Sequence, residues 1–121
     1  MVIDTNILIA ALNAEPQATS ALSKWKQEGR GLLISSVSVA EILSISTLTP
    51  AEITKIKAFL HHFVSIPFDD LIGESAGFIR RTYRLEIPDA AIAATAFLRS
   101  IPLVTRDRQF KKIKVITVIE I

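Results

Sequence analysis

An α/β fold, with a mostly parallel central sheet of four to five strands and helices on both faces, is predicted by two features of this sequence. Short, uninterrupted apolar runs recur along the chain, as in strands buried on both sides. Between them lie longer segments whose apolar residues repeat at helical spacing. The 121 residues, half of them hydrophobic and 21% charged, suffice for one core and leave no room for a second. Residues 1–121 therefore read as a single domain without repeats, low-complexity segments or linkers.

Met1 to Ile3 is an apolar run that stops at Asp4 and reads as the first strand. Asn6 to Leu12 continues as a helix, interrupted around Asn13 to Pro16. Pro16 to Gln27 is the next helix, with Pro at its start, Ala18, Leu22 and Trp25 on one face, and Gly29 beyond its end. Leu32 to Ile34 is a second strand. Ser38 to Ser46 reads as a helix opened by a Ser38–Glu41 capping box, and Thr49-Pro50-Ala51-Glu52 launches another that carries Ile53, Ile56, Leu60 and Phe63. Val64 to Phe68 is a third strand, after which Asp69 or Asp70 caps a helix through Leu71, Phe78, Ile79 and Tyr83. Pro88 and Asp89 start a helix whose alanines, with Ile92, Phe97 and Leu98, predict nearly all-round burial. Leu103 and Val104 form a strand ending at Thr105; a basic loop follows, and Val115 to Ile119 is the last strand.

Composition excludes several chemistries. There is no cysteine, hence no disulfide scaffold, thiolate metal site or cysteine nucleophile. The two histidines, His61 and His62, are adjacent and supply a histidine metal site or a serine–histidine triad poorly. The longest apolar stretches, such as Ala90 to Leu98, fall far short of the ~20 residues of a spanning helix, so no membrane association is expected. Asp4 interrupts the first apolar run and no basic segment precedes it, so no signal peptide is visible and a cytoplasmic location is expected. Net charge is only +2, but five of the 14 basic residues, Arg106, Arg108, Lys111, Lys112 and Lys114, crowd into nine positions.

Four acids occupy the address where open parallel sheets bind ligands, beyond the C-terminal ends of strands. Asp4 follows strand one, and Asp107 lies two residues past Val104. Glu41 sits in the first turn of the helix reached from strand two, and Asp89 in the first turn of the helix that feeds strand four. Each has a local alternative: a helix cap for Asp4, the capping box for Glu41, the helix dipole for Asp89 and turn chemistry for Asp107. Together, four carboxylates in one pocket would repel one another unless a cation neutralised them. An oxygen-only ligand set suits Mg²⁺ or Mn²⁺, whose chemistry is water activation and phosphoryl-charge stabilisation. The other acids, Glu15, Glu28, Glu52, Asp69, Asp70, Glu74, Glu86 and Glu120, read as solvated faces or caps.

Four segments resemble the PIN-domain family, specifically its short VapC-like branch of toxin ribonucleases from toxin–antitoxin pairs. They are Val2-Ile3-Asp4-Thr5-Asn6, Ser35-Ser36-Val37-Ser38-Val39-Ala40-Glu41, the run Ile87-Pro88-Asp89-Ala90-Ala91 through Ala96, and Leu103-Val104-Thr105-Arg106-Asp107 with Phe110 and Ile113 after it. The resemblance implies a PIN-like fold and a Mg²⁺- or Mn²⁺-dependent endoribonuclease in which Asp4, Glu41, Asp89 and Asp107 form an acidic quartet. Asp4 and Asp89 match the central metal ligands; Glu41 and Asp107 complete a second site or position water. Thr5, Asn6 and Thr105 match polar positions that orient the acids by hydrogen bonding. The segment from Pro50 to Phe63 falls where the family varies.

An acidic pocket repels RNA unless a basic rim offsets it, and Arg106, Arg108, Lys111 and Lys112 are the nearest candidates in sequence, with Arg80, Arg81 and Arg84 further off. The alternative for all of them is ordinary solubilising charge. Trp25 and Tyr83 lie among apolar neighbours and read as core. A mean hydropathy of +0.41 reads either as an exposed apolar patch, since so small a core cannot absorb every apolar residue, or as a dense aliphatic core. The resemblance implies a homodimer and a cognate antitoxin that covers an apolar groove; no segment reads as a DNA-binding module. Rival readings are a PIN-fold scaffold without catalysis, a nuclease acting on DNA, and a phosphoacceptor receiver domain, which lacks its paired acids here.

Overall fold

The computed structural model describes all of residues 1–121. The elements are β1 (Val2–Ile3), α1 (Thr5–Leu12), α2 (Pro16–Gln27), β2 (Leu33–Ser35), α3 (Ser36–Leu43) and α4 (Pro50–Leu60). They continue as β3 (Val64–Ile66), α5 (Asp70–Tyr83), α6 (Ile87–Arg99), β4 (Leu103–Thr105), a 3-10 helix (Arg108–Lys112) and β5 (Val118–Glu120). All five strands are parallel, in the order β3-β2-β1-β4-β5. The chain winds outward from β1 to β3, returns across the sheet, and winds outward again through β4 and β5. That reversal opens a crevice between the C-terminal ends of β1 and β4.

Successive strand residues face opposite sides of the sheet, so the strands feed two cores, although the edge strand β3 contributes only Ile66. Val2, Ile66 and Leu103 pack with Ile72, Ala76 and Ile79 of α5, the alanines of α6, Phe110 and Ile113. Ile3, Ile34 and Val104 pack on the other side with Ile7 and Leu8 of α1, Leu22 of α2, Ile42 of α3, and Ile56 and Leu60 of α4. In α6, Ala90 through Ala96 are all buried, as the alanine run predicts, while Phe97 and Leu98 reach solvent. The small side chains let α6 lie close to the sheet and to α5 without strain. Trp25 and Tyr83 pack against the cores as read. No helix is long and apolar enough to cross a membrane.

Local boundaries differ from expectation where tertiary contacts compete with capping. Thr49 and Glu52 do form the reciprocal capping box of α4 (3.2 and 3.0 Å), and Asp69 caps α5. The capping box expected at Ser38 and Glu41 does not form. β2 runs directly into α3, so Ser35 takes the cap by accepting from the Val37 amide at 3.1 Å, and helix begins at Ser36. Glu41 consequently lies in the second turn of α3, not the first. The basic loop after β4 is a 3-10 helix, because Phe110 and Ile113 must turn inward to reach the core. That turn uses up chain, and β5 starts at Val118 in register with Leu103 rather than at Val115.

Phe110 is wholly buried and ties the 3-10 helix to the core beneath the β1–β4 crevice. Phe110→Ala should cost about 3–5 kcal/mol of stability, read as a lower midpoint in urea denaturation. A loss below about 1 kcal/mol would mean that this turn folds independently of the core.

Candidate metal centre at the sheet's switch point

β1 ends at Ile3, so the next side chain, Asp4, emerges at the crevice and begins α1. It is 4% exposed, and both its oxygens are engaged. Oδ1 accepts from the Thr5 amide at 2.8 Å, and Oδ2 accepts from the Thr105 hydroxyl at 2.6 Å. Thr105 closes β4, so this second bond spans the switch point between the two central strands. The same Thr105 oxygen accepts the Asp107 amide at 2.9 Å, which fixes the turn that carries Asp107.

The other acids join the same network. Thr5 Oγ1 donates to Glu41 Oε1 at 2.8 Å and lies 2.8 Å from the buried Ser38 hydroxyl, so α1 and α3 are linked through it. Asp107 caps the 3-10 helix: its Oδ1 accepts from the Gln109 amide at 3.0 Å. The Gln109 side-chain Nε2 donates to Asp107 Oδ2 at 2.5 Å and to Asp89 Oδ2 at 3.2 Å. Asp89 makes no cap bond to its own helix, which leaves its carboxylate facing this group. Asp4, Glu41, Asp89 and Asp107 thus come to one rim, joined by hydrogen bonds through Thr5, Thr105 and Gln109. The cap readings hold for Asp4 and Asp107 as well; they coexist with convergence, since each cap uses one oxygen.

Burial, and to a smaller extent the neighbouring charges, raise two of the acids. Burial pushes Asp4 up from 3.8 to about 6, against the lowering effect of its bonds to Thr105 and Thr5, and the charges of Asp89 and Glu41 add to the rise. Asp89 is raised by burial, then by Asp107, Glu41 and Glu86, with Gln109 opposing. The acids are near enough to sense one another, yet no three are gathered into a closed ligand cage. Like charges held at arm's length by neutral hydrogen-bond donors are the expected resting arrangement.

The donor set fits a hard divalent cation. Every candidate ligand is a carboxylate oxygen, two of them carry raised affinity for a proton, and a buried acceptor stands spare beside them. That acceptor is Asn6 Oδ1, which has no partner. Its amide orientation follows from Thr105, whose hydroxyl hydrogen goes to Asp4, so Asn6 Nδ2 must be the atom that faces Thr105 at 3.4 Å. Asn6 Oδ1 is left to accept from a water or polarised group in the crevice.

The basic residues are less available than their sequence density implies. Arg106 forms a two-pronged pair with Glu15 at the α1–α2 turn. Arg108 and Lys111 both pair with Glu120, whereas Lys112 is exposed and stands outside these pairs. Arg80 is spent on the Leu85 carbonyl and Glu86. Sequence reasoning missed Glu15, Ser38 and Gln109 as members of this region. Only Gln109 carried a local signal, its place two residues after Asp107, and nothing nearby in sequence tied it to Asp89.

The PIN domain family profile matches residues 1–116, and the chain belongs to that family. Among solved structures it is similar to a toxin–antitoxin complex from Klebsiella pneumoniae, at 29% identity and TM-score 0.83, covering 98% of this chain and 94% of that one. It also shares its fold with VapBC2 from Rickettsia felis bound to a promoter DNA fragment (24% identity, TM-score 0.84, 98% and 96% covered). FitAcB from Neisseria gonorrhoeae shares the fold too (23% identity, TM-score 0.78, 97% and 94% covered). No curated protein matches the chain.

The raised Asp4 has a signed consequence for stability. The folded chain binds this proton more tightly than the unfolded chain, so the contribution is full below pH 4 and is lost as pH rises to about 6. Asp4→Asn should therefore gain about 2 kcal/mol relative to the natural chain between pH 4 and pH 7, in urea melts with EDTA present. Parallel pH curves for the two proteins would contradict a raised Asp4.

Proposed function

We propose that this protein is a cytoplasmic, Mg²⁺- or Mn²⁺-dependent endoribonuclease, the toxin of a toxin–antitoxin pair. The observation that carries the reading is the hydrogen-bonded path Glu41–Thr5–Asp4–Thr105–Asp107–Gln109–Asp89, which ties four carboxylates to the sheet's switch point. Membership of the PIN family and the likeness to the Klebsiella toxin–antitoxin complex support it.

Asp4 and Asp89 would hold the cation centrally, with Glu41 and Asp107 completing a second position or orienting water. A divalent ion bound there supplies Lewis acidity that lowers the pKa of water and stabilises charge on the scissile phosphate. The chain's own residues prepare the geometry. Thr105 fixes the Asp4 rotamer, Thr5 aims Glu41, and burial in the crevice strengthens every charge interaction there. No histidine base is needed. Lys112, with Arg106 and Arg108 where phosphate competes with their carboxylate partners, would supply positive charge for the RNA backbone.

The antitoxin reading is supported by a largely apolar cleft of about 360 Å³ lined by Ile9, Leu12, Ile42, Ile45, Leu48 and Ile56, with Asn13, Glu52 and Lys55 also on its wall. It lies between the C-terminal parts of α1 and α3 and the start of α4, three elements on the same side of the sheet. Val64, Phe68, Leu71 and Phe78 remain exposed on β3, the segment after it and α5, and supply apolar surface for a homodimer.

Purified, antitoxin-free protein should cleave a structured RNA with Mn²⁺ or Mg²⁺ and not with EDTA, and Asp4→Asn prepared identically should abolish cleavage. Cutting that survives in Asp4→Asn, or in EDTA, would refute the assignment. Thr105→Val, which removes the hydroxyl that orients Asp4, should lower metal affinity or activity about 10–100-fold while the fold persists by circular dichroism.

A further inference from the structure

Outside the acids themselves, one side chain occupies the group in a way that neither capping nor packing requires. Gln109 Nε2 has two hydrogens and spends both on carboxylates, one on Asp107 Oδ2 at 2.5 Å and one on Asp89 Oδ2 at 3.2 Å. The two acceptors belong to different elements, the turn after β4 and the start of α6, 18 positions apart in sequence. A neutral amide nitrogen thus sits where the two negative oxygens converge.

We propose that the Gln109 carboxamide stands in for the cation: it bridges Asp89 and Asp107 while the protein is metal-free and is displaced when a divalent ion binds. The inference rests on the metal-binding reading above. A divalent ion held by Asp89 and Asp107 would need the carboxylate oxygens that the carboxamide nitrogen now bonds, so ion and carboxamide would compete for them. Amide hydrogens also carry partial positive charge that a cation would repel. The residue is built to swing. Its backbone is pinned, because its own amide bonds Asp107 and the next residue, Phe110, is wholly buried. Its side chain is only half-buried, so the carboxamide has solvent to turn into.

As a positioning residue, Gln109 does two opposed things. It damps the repulsion between Asp89 and Asp107 in the empty protein, which keeps the pair together and the turn folded. It also competes with the ion, which sets the affinity of the centre lower than the acids alone would give. Loading then requires the metal to outbid a hydrogen-bond donor already in place.

The test is a calorimetric titration with Mn²⁺ alone, together with thermal melts in EDTA and in saturating Mn²⁺. Gln109→Met keeps the length and removes the donor; Gln109→Ala removes the side chain and leaves the turn's backbone intact, as a second variant should either one fold poorly. Both should bind Mn²⁺ roughly three- to tenfold more tightly than the natural chain, the share of a charge-assisted hydrogen bond that half-burial leaves. Both should melt about 2–4 °C lower in EDTA, with the gap closing or reversing in Mn²⁺. A gap of equal size with and without metal would mark a merely structural role and overturn the proposal. Weaker Mn²⁺ binding in the variants would overturn it too, by making Gln109 a ligand. If the natural chain binds Mn²⁺ and the variants match it, only this inference falls. If neither the natural chain nor the variants bind Mn²⁺, the metal-centre reading falls with it.

Discussion

The hydroxyl of Thr105 reaches across the two central strands to a carboxylate that has almost no access to water, at the point where the sheet reverses its winding. A buried, unpaired carboxylate is costly, and here no arginine or lysine neutralises it. Its cost is limited by two neutral donors, the Thr105 hydroxyl and the Thr5 amide, each of which belongs to an element fixed by the sheet. β1 and β4 must therefore keep their register, Val2 beside Leu103 and Ile3 beside Val104, for Asp4 to be tolerated at all. The rest of the crevice is arranged around that requirement.

From that fixed acid, the neighbouring charges follow a consistent rule. Donors to the carboxylates are neutral groups: threonine hydroxyls, main-chain amides and the Gln109 carboxamide. Cationic side chains are kept one shell out and given other partners, Glu15 for Arg106 and Glu120 for Arg108 and Lys111. An internal lysine or arginine among the acids would relieve their repulsion permanently and abolish their affinity for a divalent ion. Neutral donors hold the geometry and leave the negative potential in place. The raised proton affinities of Asp4 and Asp89 come first from burial, with the charges of the neighbouring acids adding to the rise.

Two residues show how far sequence reading could go and where it stopped. Ser38 and Glu41 have the spacing of a capping box, a pattern as good as that of Thr49 and Glu52 at the start of α4. One pair caps and the other does not. The difference is that β2 passes straight into α3 and Ser35 is already in place to cap it, whereas α4 follows a loop and has Thr49 alone. Ser38 and Glu41 are thereby released to meet Thr5, a partner 33 and 36 residues away. Likewise the basic cluster after β4 reads either as a cationic rim or as solubilising charge, and three of its five members are paired with Glu15 or Glu120.

What the sequence determined by itself was the class of fold, the order of its elements and the four acids at strand ends and helix starts. These follow from local quantities: hydropathy period, proline and capping positions, and the halting of apolar runs at Asp4 and Thr105. Tertiary structure alone decided how those acids are held. The strand order puts β1 against β4 across 100 residues of chain, and only then can Thr105 reach Asp4 and Gln109 join Asp89 to Asp107. Hydrogen bonds of that separation leave no local periodicity behind, because either partner alone is an ordinary polar residue in an ordinary turn.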